Sequence, residues 1–198
     1  MKMRLPLLPT LIVAAAVAAM VALGVWQLRR ADWKDAMIAR YAAAEQLPEI
    51  AWPTIPPADD DLLFRRASGF CLSVADWRTV AGRNAAGESG WSHIAACRTG
   101  GAEGPGMQVD MGWSKSSDPP RNWKGGAVRG VISPDKDYRI RLVSEEAAPG
   151  LMPSAPPSPA DMPNNHLFYA IQWFLFALAA LVIYLLALRK RQAPPAVR

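Results

Sequence analysis

NNHLFYAIQWFLFALAALVIYLLALRKR, residues 164–191, decides how the rest of the chain is read. Leu167 to Leu188 is 22 residues without a charge, and at about 1.5 Å of rise per helical residue it is roughly 33 Å long. That length crosses a bilayer. Arg189, Lys190 and Arg191 close the run on one side and His166 stands at its mouth on the other. His166, Ala170, Trp173, Ala177, Ala180 and Tyr184 recur at three- and four-residue steps and so share one helical face. That face starts with an imidazole, carries an indole and then turns small, as a surface that meets another helix does.

The second helix is near the start. Leu5 to Leu28, LPLLPTLIVAAAVAAMVALGVWQL, is again uncharged and long enough to span. Ala15 with Ala19, and Ala18 with Ala22, have the four-residue spacing of small side chains that lets membrane helices approach closely. Pro6 and Pro9 fall where a missing amide costs little. Lys2 and Arg4 before an apolar run with Ala-x-Ala triplets also fit a secretory signal peptide. The length of the run, and its continuation into a charged helix, favour an uncleaved anchor.

The chain carries 22 Lys and Arg against 17 Asp and Glu, net +5 with a pI near 9.5. Lys2, Arg4, Arg189, Lys190, Arg191 and Arg198 lie at the two ends, so the segment between the spans is slightly acidic. The excess base therefore reports topology rather than a nucleic-acid ligand. By the positive-inside rule both termini are expected in the cytoplasm and the central segment outside, in a bacterial-type inner membrane. Cys71 and Cys97 are the only cysteines, and both fall in the exported segment. They are either two buried thiols or one disulfide, which would stabilise by roughly 3 kcal/mol.

These boundaries give residues 5–28 as the first membrane helix and 29–47 as its amphipathic extension. In the extension Trp33, Met37 and Tyr41 continue the face of Trp26 and Arg30 until Pro48. Trp26 and Gln27 belong near the headgroups. Arg29 and Arg30 lie on the side the rule disfavours, where they would meet either lipid phosphates or a functional anion. Residues 48–148 read as a small β-rich domain outside the membrane, an antiparallel sheet or small open barrel. Leu63–Leu72, Gly90–Arg98, Met107–Trp113, Ala127–Ile132 and Tyr138–Val143 look like strands, with a short helix near Ser73–Val80. A Pro-rich connector, Pro53–Pro57, precedes the domain, and Gly100, Gly101, Gly104, Pro105 and Gly106 mark a turn. Residues 149–165 read as an extended, poorly ordered tether. Residues 166–188 form the second membrane helix and 189–198 a basic tail. The fold class is thus an α+β membrane protein with two antiparallel helices.

Catalytic constellations are missing. His93 and His166 are the only histidines, Ser92 beside His93 is a neighbour in sequence and not a triad, and the glycines lack a phosphate-loop context. No catalytic site is expected, and no clustered Cys, Met or His would serve a copper chaperone. His166 has two readings, a neutral imidazole capping the helix or an axial ligand to haem iron. Phe168, Tyr169 and Trp173 would accept a flat macrocycle.

At this point LGVWQLRRADWKDAMI (23–38) paired with NNHLFYAIQWFLFALAALVIY (164–184) resembles the surfeit locus protein 1 family. Its members are two-span inner-membrane proteins that assist assembly of haem-copper cytochrome oxidases. Arg65 and Gly69 in FRRASGF, and Val109, Asp110, Gly112 and Trp113 in MQVDMGW, resemble two strands of the family. Met111 stands where arginine is usual, and SHIAACRTG (92–100) departs from the family's histidine and Thr-Pro pattern. The resemblance implies delivery of haem a to the oxidase core subunit, with His166 matching the second-span histidine. On that reading His166 ligates the iron, Trp26, Tyr169 and Trp173 form apolar walls, and Arg29 or Arg30 pairs with the propionates. The alternative is a scaffold that holds the oxidase subunit and haem a synthase together in the lipid bilayer without binding haem.

Overall fold

The structure, a computed structural model, describes residues 6–55, 59–100 and 106–192. Lys2, Arg4, Leu5, Arg198, Pro56, Pro57, Gly101, Gly104 and Pro105 lie outside those residues. The chain divides into two compact units, residues 1–37 with 163–198, and residues 38–162.

Two helices, α1 (Leu7–Ala44) and α2 (His166–Gln192), hold the long apolar runs. The last turns of α1, from Ile38, belong to the second unit. Both helices are long and apolar enough to cross a membrane, and almost none of either apolar window is buried within the protein. Leu, Ile and Phe side chains therefore face outward, as lipid requires.

What is covered on each helix follows one seam. On α1 the less exposed positions are Thr10, Val13, Val17, Met20, Gly24, Gln27 and Ala31, spaced by three and four. On α2 they include His166, Ala170, Trp173, Phe174, Ala177, Ala180, Tyr184 and Leu188, with Ala170 and Ala177 buried. Tyr184 and Thr10 share a hydroxyl hydrogen bond. Ala15, Ala18, Ala19 and Ala22, expected to make the close approach, are exposed instead. The close approach is made by Gly24, where an added Cβ would lie 2.6 Å from the Phe174 ring. One glycine facing a phenyl ring outweighs an alanine stripe pointing elsewhere.

The second unit is a seven-stranded sheet. Its strands are β1 (Ile50–Ala51), β2 (Arg66–Cys71), β3 (Ser73–Arg83), β4 (Ser89–Arg98), β5 (Met107–Ser114), β6 (Gly126–Asp135) and β7 (Arg139–Ser144), in the order β1-β2-β6-β7-β5-β4-β3. Tyr41, from the last turns of α1, packs its ring 5.1 Å from that of Phe64. The sheet is mixed, not antiparallel: β1 pairs parallel to β2, and β5 parallel to β7. The second pairing follows from the β6–β7 hairpin. Because β6 pairs with β2, its hairpin mate β7 fills the slot beside β5 and runs in the same direction.

The helix expected at Ser73–Val80 is strand β3. It pairs with β4 from Ser73↔Arg98 to Arg83↔Ser89, and Val74, Trp77, Thr79 and Val80 are residue types that suit a pleated surface. The pairing satisfies amides that a short isolated helix would leave marginal. β2 and β3 are separated only by Leu72, yet β3 ends the sheet on one side and β2 with its short partner β1 ends it on the other. The two ends of the sheet therefore meet at Leu72, whose N–H donates to the Arg98 carbonyl at 2.8 Å. Beside that junction Cys71 and Cys97, both fully buried, are joined by a disulfide.

Residues 149–162 are no loose tether. Trp113 and Met152 exchange both backbone hydrogen bonds, and Ala155 N–H donates to the Arg83 carbonyl at 2.8 Å. Pro159–Asp161 forms a 3₁₀ turn capped by Ser158. The segment straps across β5, a strand buried along nearly its whole length. Gly112 makes room for it. Its φ of +128° is left-handed, and a Cβ there would lie 2.7 Å from the Met152 carbonyl oxygen. The prolines remove donors and stiffen the segment, and the bridges supply its order.

Candidate functional site

The first helical residue of α2 is His166, and the residues just before it set its position. Asn164 Nδ2 donates to Asp35 Oδ1 at 2.7 Å and to the Ala31 carbonyl at 3.3 Å. His166 Nδ1 is 2.7 Å from Gln27 Oε1. Gln27, Ala31 and Asp35 are four residues apart, so one stripe of α1 holds the start of α2. From sequence, Gln27 belongs near the headgroups and Asp35 on a solvated side. Their four-residue spacing is the signal for a joint role, but their partners lie more than a hundred residues away.

Of the other expected site residues, Trp26 and Tyr169 are more than half exposed, at 55% and 52%, and Phe168 is 80% exposed. The half-buried Trp173 meets Phe176 edge-on, with ring centroids 6.2 Å apart. The Arg30 guanidinium lies 4.0 Å from the centroid of the Trp33 ring. Among the described residues Arg29 has no ion pair or hydrogen bond. The structure thus joins His166 to Gln27 and leaves the large rings as open apolar surface. An imidazole, exposed aromatic rings and arginines are the residue types that would hold a haem, as iron ligand, cover and carboxylate partners.

The sheet unit holds a separate polar cluster. Ser154 Oγ donates to Asp110 Oδ1 at 2.7 Å, Gly112 N–H donates to the same oxygen at 3.2 Å, and Ser92 Oγ lies 3.3 Å from Ser154 Oγ. Burial pushes the Asp110 carboxyl above the usual carboxylate range. Ser92, Asp110, Ser133, Arg141 and Ser154 line a cavity of about 200 Å³. The His93 ring is bonded elsewhere, 3.3 Å from Thr79 Oγ1 and 2.9 Å from Ser114 Oγ. Among the described residues no histidine therefore serves Ser92 or Ser154, and the cluster is not assembled as a Ser-His-Asp triad. Asp135 is also desolvated, but hydrogen bonds from Arg78 and from the Asp137 and Tyr138 amides hold its carboxyl low. Among the described residues no group of three His, Cys, Asp or Glu converges to hold a metal ion.

Burial lowers the pKa of His93 below its ordinary 6.5. The unfolded chain then takes up the proton first, so this residue's contribution is present above that value and is lost as pH falls through the lowered one. Asp110 works in the opposite sense, because its raised pKa favours the fold on the acid side. Denaturant unfolding of the detergent-solubilised protein should show a lower midpoint at pH 5 than at pH 7.5. His93→Gln should shrink that difference, and an unchanged difference would remove His93 as its source.

A model of the SURF1 family matches residues 14–178. That span takes in most of α1, the whole sheet unit and about the first half of α2. No curated protein matches the chain.

Proposed function

We propose, from the premise that this chain belongs to the SURF1 family, that it helps deliver haem a to the core subunit of a cytochrome c oxidase. The family is associated with cytochrome c oxidase assembly and is one of assembly factors rather than catalysts. In this reading α1 and α2 are antiparallel spans of an inner membrane, both termini are cytoplasmic and the sheet unit is periplasmic. The bonds of Thr10 to Tyr184 and of Gln27 to His166 support that arrangement of the helices. Arg189, Lys190 and Arg191 in the last turn of α2 support the cytoplasmic side. Alkaline phosphatase fused after Gly87 should be active and after Gln192 inactive. The reverse pattern would overturn the topology.

The observation that carries the haem reading is His166 at the first turn of α2, with Phe168, Tyr169 and Trp26 exposed around that level of the helices. His166 would ligate the iron, Trp26, Tyr169 and Trp173 would cover the ring, and Arg29 or Arg30 would bind the propionates. Haem a, when bound, would supply an iron centre that the His166 imidazole could hold. The partners are the oxidase core subunit and haem a synthase. A second reading, a scaffold that binds those partners without haem, is favoured by the openness of the same aromatic surface, which would equally suit a partner's helix. Purification from cells making haem a decides between them. A Soret band in the isolated protein is expected. Copurification with the oxidase subunit or the synthase but no haem would establish the scaffold.

A further inference from the structure

We infer that Gln27 is a positioning residue for His166, fixing the imidazole as the Nδ1–H tautomer and leaving the Nε2 lone pair for a metal centre. The identity of that centre as haem rests on the function proposed above; the tautomer does not. A carboxamide oxygen only accepts, so with Gln27 Oε1 turned to His166 Nδ1 at 2.7 Å the hydrogen bond forms with the proton on Nδ1. A neutral imidazole carries one ring proton, and Nε2 is then bare. Free imidazole side chains favour the opposite tautomer, so the preference has to be imposed. Histidines that bind metals are typically oriented in this way, by an acceptor on the nitrogen that does not touch the metal.

The backbone around the ring is fixed as well. Asn164 ties the residues just before α2 to Ala31 and Asp35, on the stripe of α1 that also carries Gln27. His166 is therefore held at two points, through the ring and through the chain two residues earlier. Gln27 also sits next to Trp26 and two residues from Arg29, the positions expected to cover and neutralise a macrocycle. On α1 it is Gln27, on the covered face, that meets the ring, while Trp26 and Arg29 are exposed.

The test uses the full-length protein in detergent micelles with ¹⁵N-labelled histidine, the His166 signals being assigned by their absence from His166→Ala. Wild type should show a protonated Nδ1 and a bare Nε2. Gln27→Leu should shift His166 to the Nε2–H form, and Gln27→Glu, which keeps an acceptor, should retain the wild-type form. Nε2–H in the wild type, or a tautomer indifferent to both substitutions, overturns the proposal. Titration with hemin supplies the second readout. Gln27→Leu should weaken binding about 10- to 100-fold, the usual cost of losing such an acceptor. Gln27→Glu should bind with a lowered iron midpoint potential, because a carboxylate makes the imidazole a stronger donor. Helix packing alone would not move that potential. A wild type that takes up no hemin yet shows the Nδ1–H tautomer would sink the haem reading while upholding the role of Gln27.

Discussion

His166→Ala is expected to give a protein that inserts in the membrane and folds but carries no haem. Insertion depends on the uncharged run Leu167–Leu188, each apolar residue contributing a few tenths of a kcal/mol at mid-membrane, and the histidine lies outside that run. Packing of the helices should survive too, because Ala170 and Ala177, buried on the α2 seam, and Gly24 on α1 remain in place. What disappears is the one imidazole at the mouth of α2, the proposed iron ligand. Isolated from cells making haem a, the variant should lack the Soret band of the wild type, while membrane fractionation finds equal amounts of both. Arg29→Gln with Arg30→Gln should act differently. A charge-assisted hydrogen bond to a propionate is worth about 1.5 to 3 kcal/mol, so without the guanidinium haem should be retained less well, with an unchanged ligand field. A His166→Ala protein with the wild-type band would assign the iron to another ligand.

Removing the disulfide has the second large effect. Cys71 and Cys97 are 26 positions apart in sequence, and a closed loop of that length stabilises by about 3.5 kcal/mol in the chain-entropy account. Domains of this kind are stable by about 5 to 15 kcal/mol, so the loss is a large share of the whole. Both sulphurs are fully buried, so Cys71→Ala with Cys97→Ala also leaves a small void at the junction of the sheet's ends. Tryptophan fluorescence of the full-length protein in detergent, followed through a urea series, should show a markedly lower midpoint for the double variant. Reductant should lower the wild-type midpoint and leave the variant's unchanged. Maleimide labelling of both cysteines in the native, unreduced protein would rule the bridge out.

The helices are the most legible part of the sequence, because an uncharged run of bilayer length has few other readings. The α2 seam is legible too, since imidazole, indole and small side chains recur there with helical spacing. The α1 seam is not. Alanines at four-residue steps are a general cue for close packing, but the side they face depends on a single glycine meeting Phe174, which no local pattern records. In the sheet unit, branched and aromatic residues make most of the strands readable. Strand β3 is hidden, because Ala75, Asp76, Arg78 and Ala81 weaken the alternation and its identity comes from β4. The parallel pairing of β5 with β7 is a property of strand order and not of either strand. Residues 149–162 mislead for a related reason: proline and alanine composition suggests a tether, but order there comes from bonds to Trp113, Arg83 and Asp110. At the candidate site, His166 stands out as a lone imidazole at a helix mouth. Gln27 does not, because an amide side chain near a headgroup is commonplace until its partner is known.

The meeting of the sheet's ends at Leu72 also sets an order of events. β3, β4 and β5 are consecutive and pair antiparallel, so their contacts are local and need no later strand. Val74 opposes Cys97 at the open end of the β3–β4 hairpin, and Cys71 lies three residues before Val74. The β3–β4 hairpin and the Leu72–Arg98 bond are enough to bring the two sulphurs near each other without β6. The arrival of β6 and β7, and then of the strap from Pro149, is what seals the unit. Oxidation belongs to the interval before that closure, when an oxidant can still reach the thiols. Chains that pass through the interval reduced would close over two thiols that oxidant can no longer reach. Reductant present only while the chain folds should therefore lower the yield of bridged protein more than reductant added to the closed fold, whose sulphurs are fully buried.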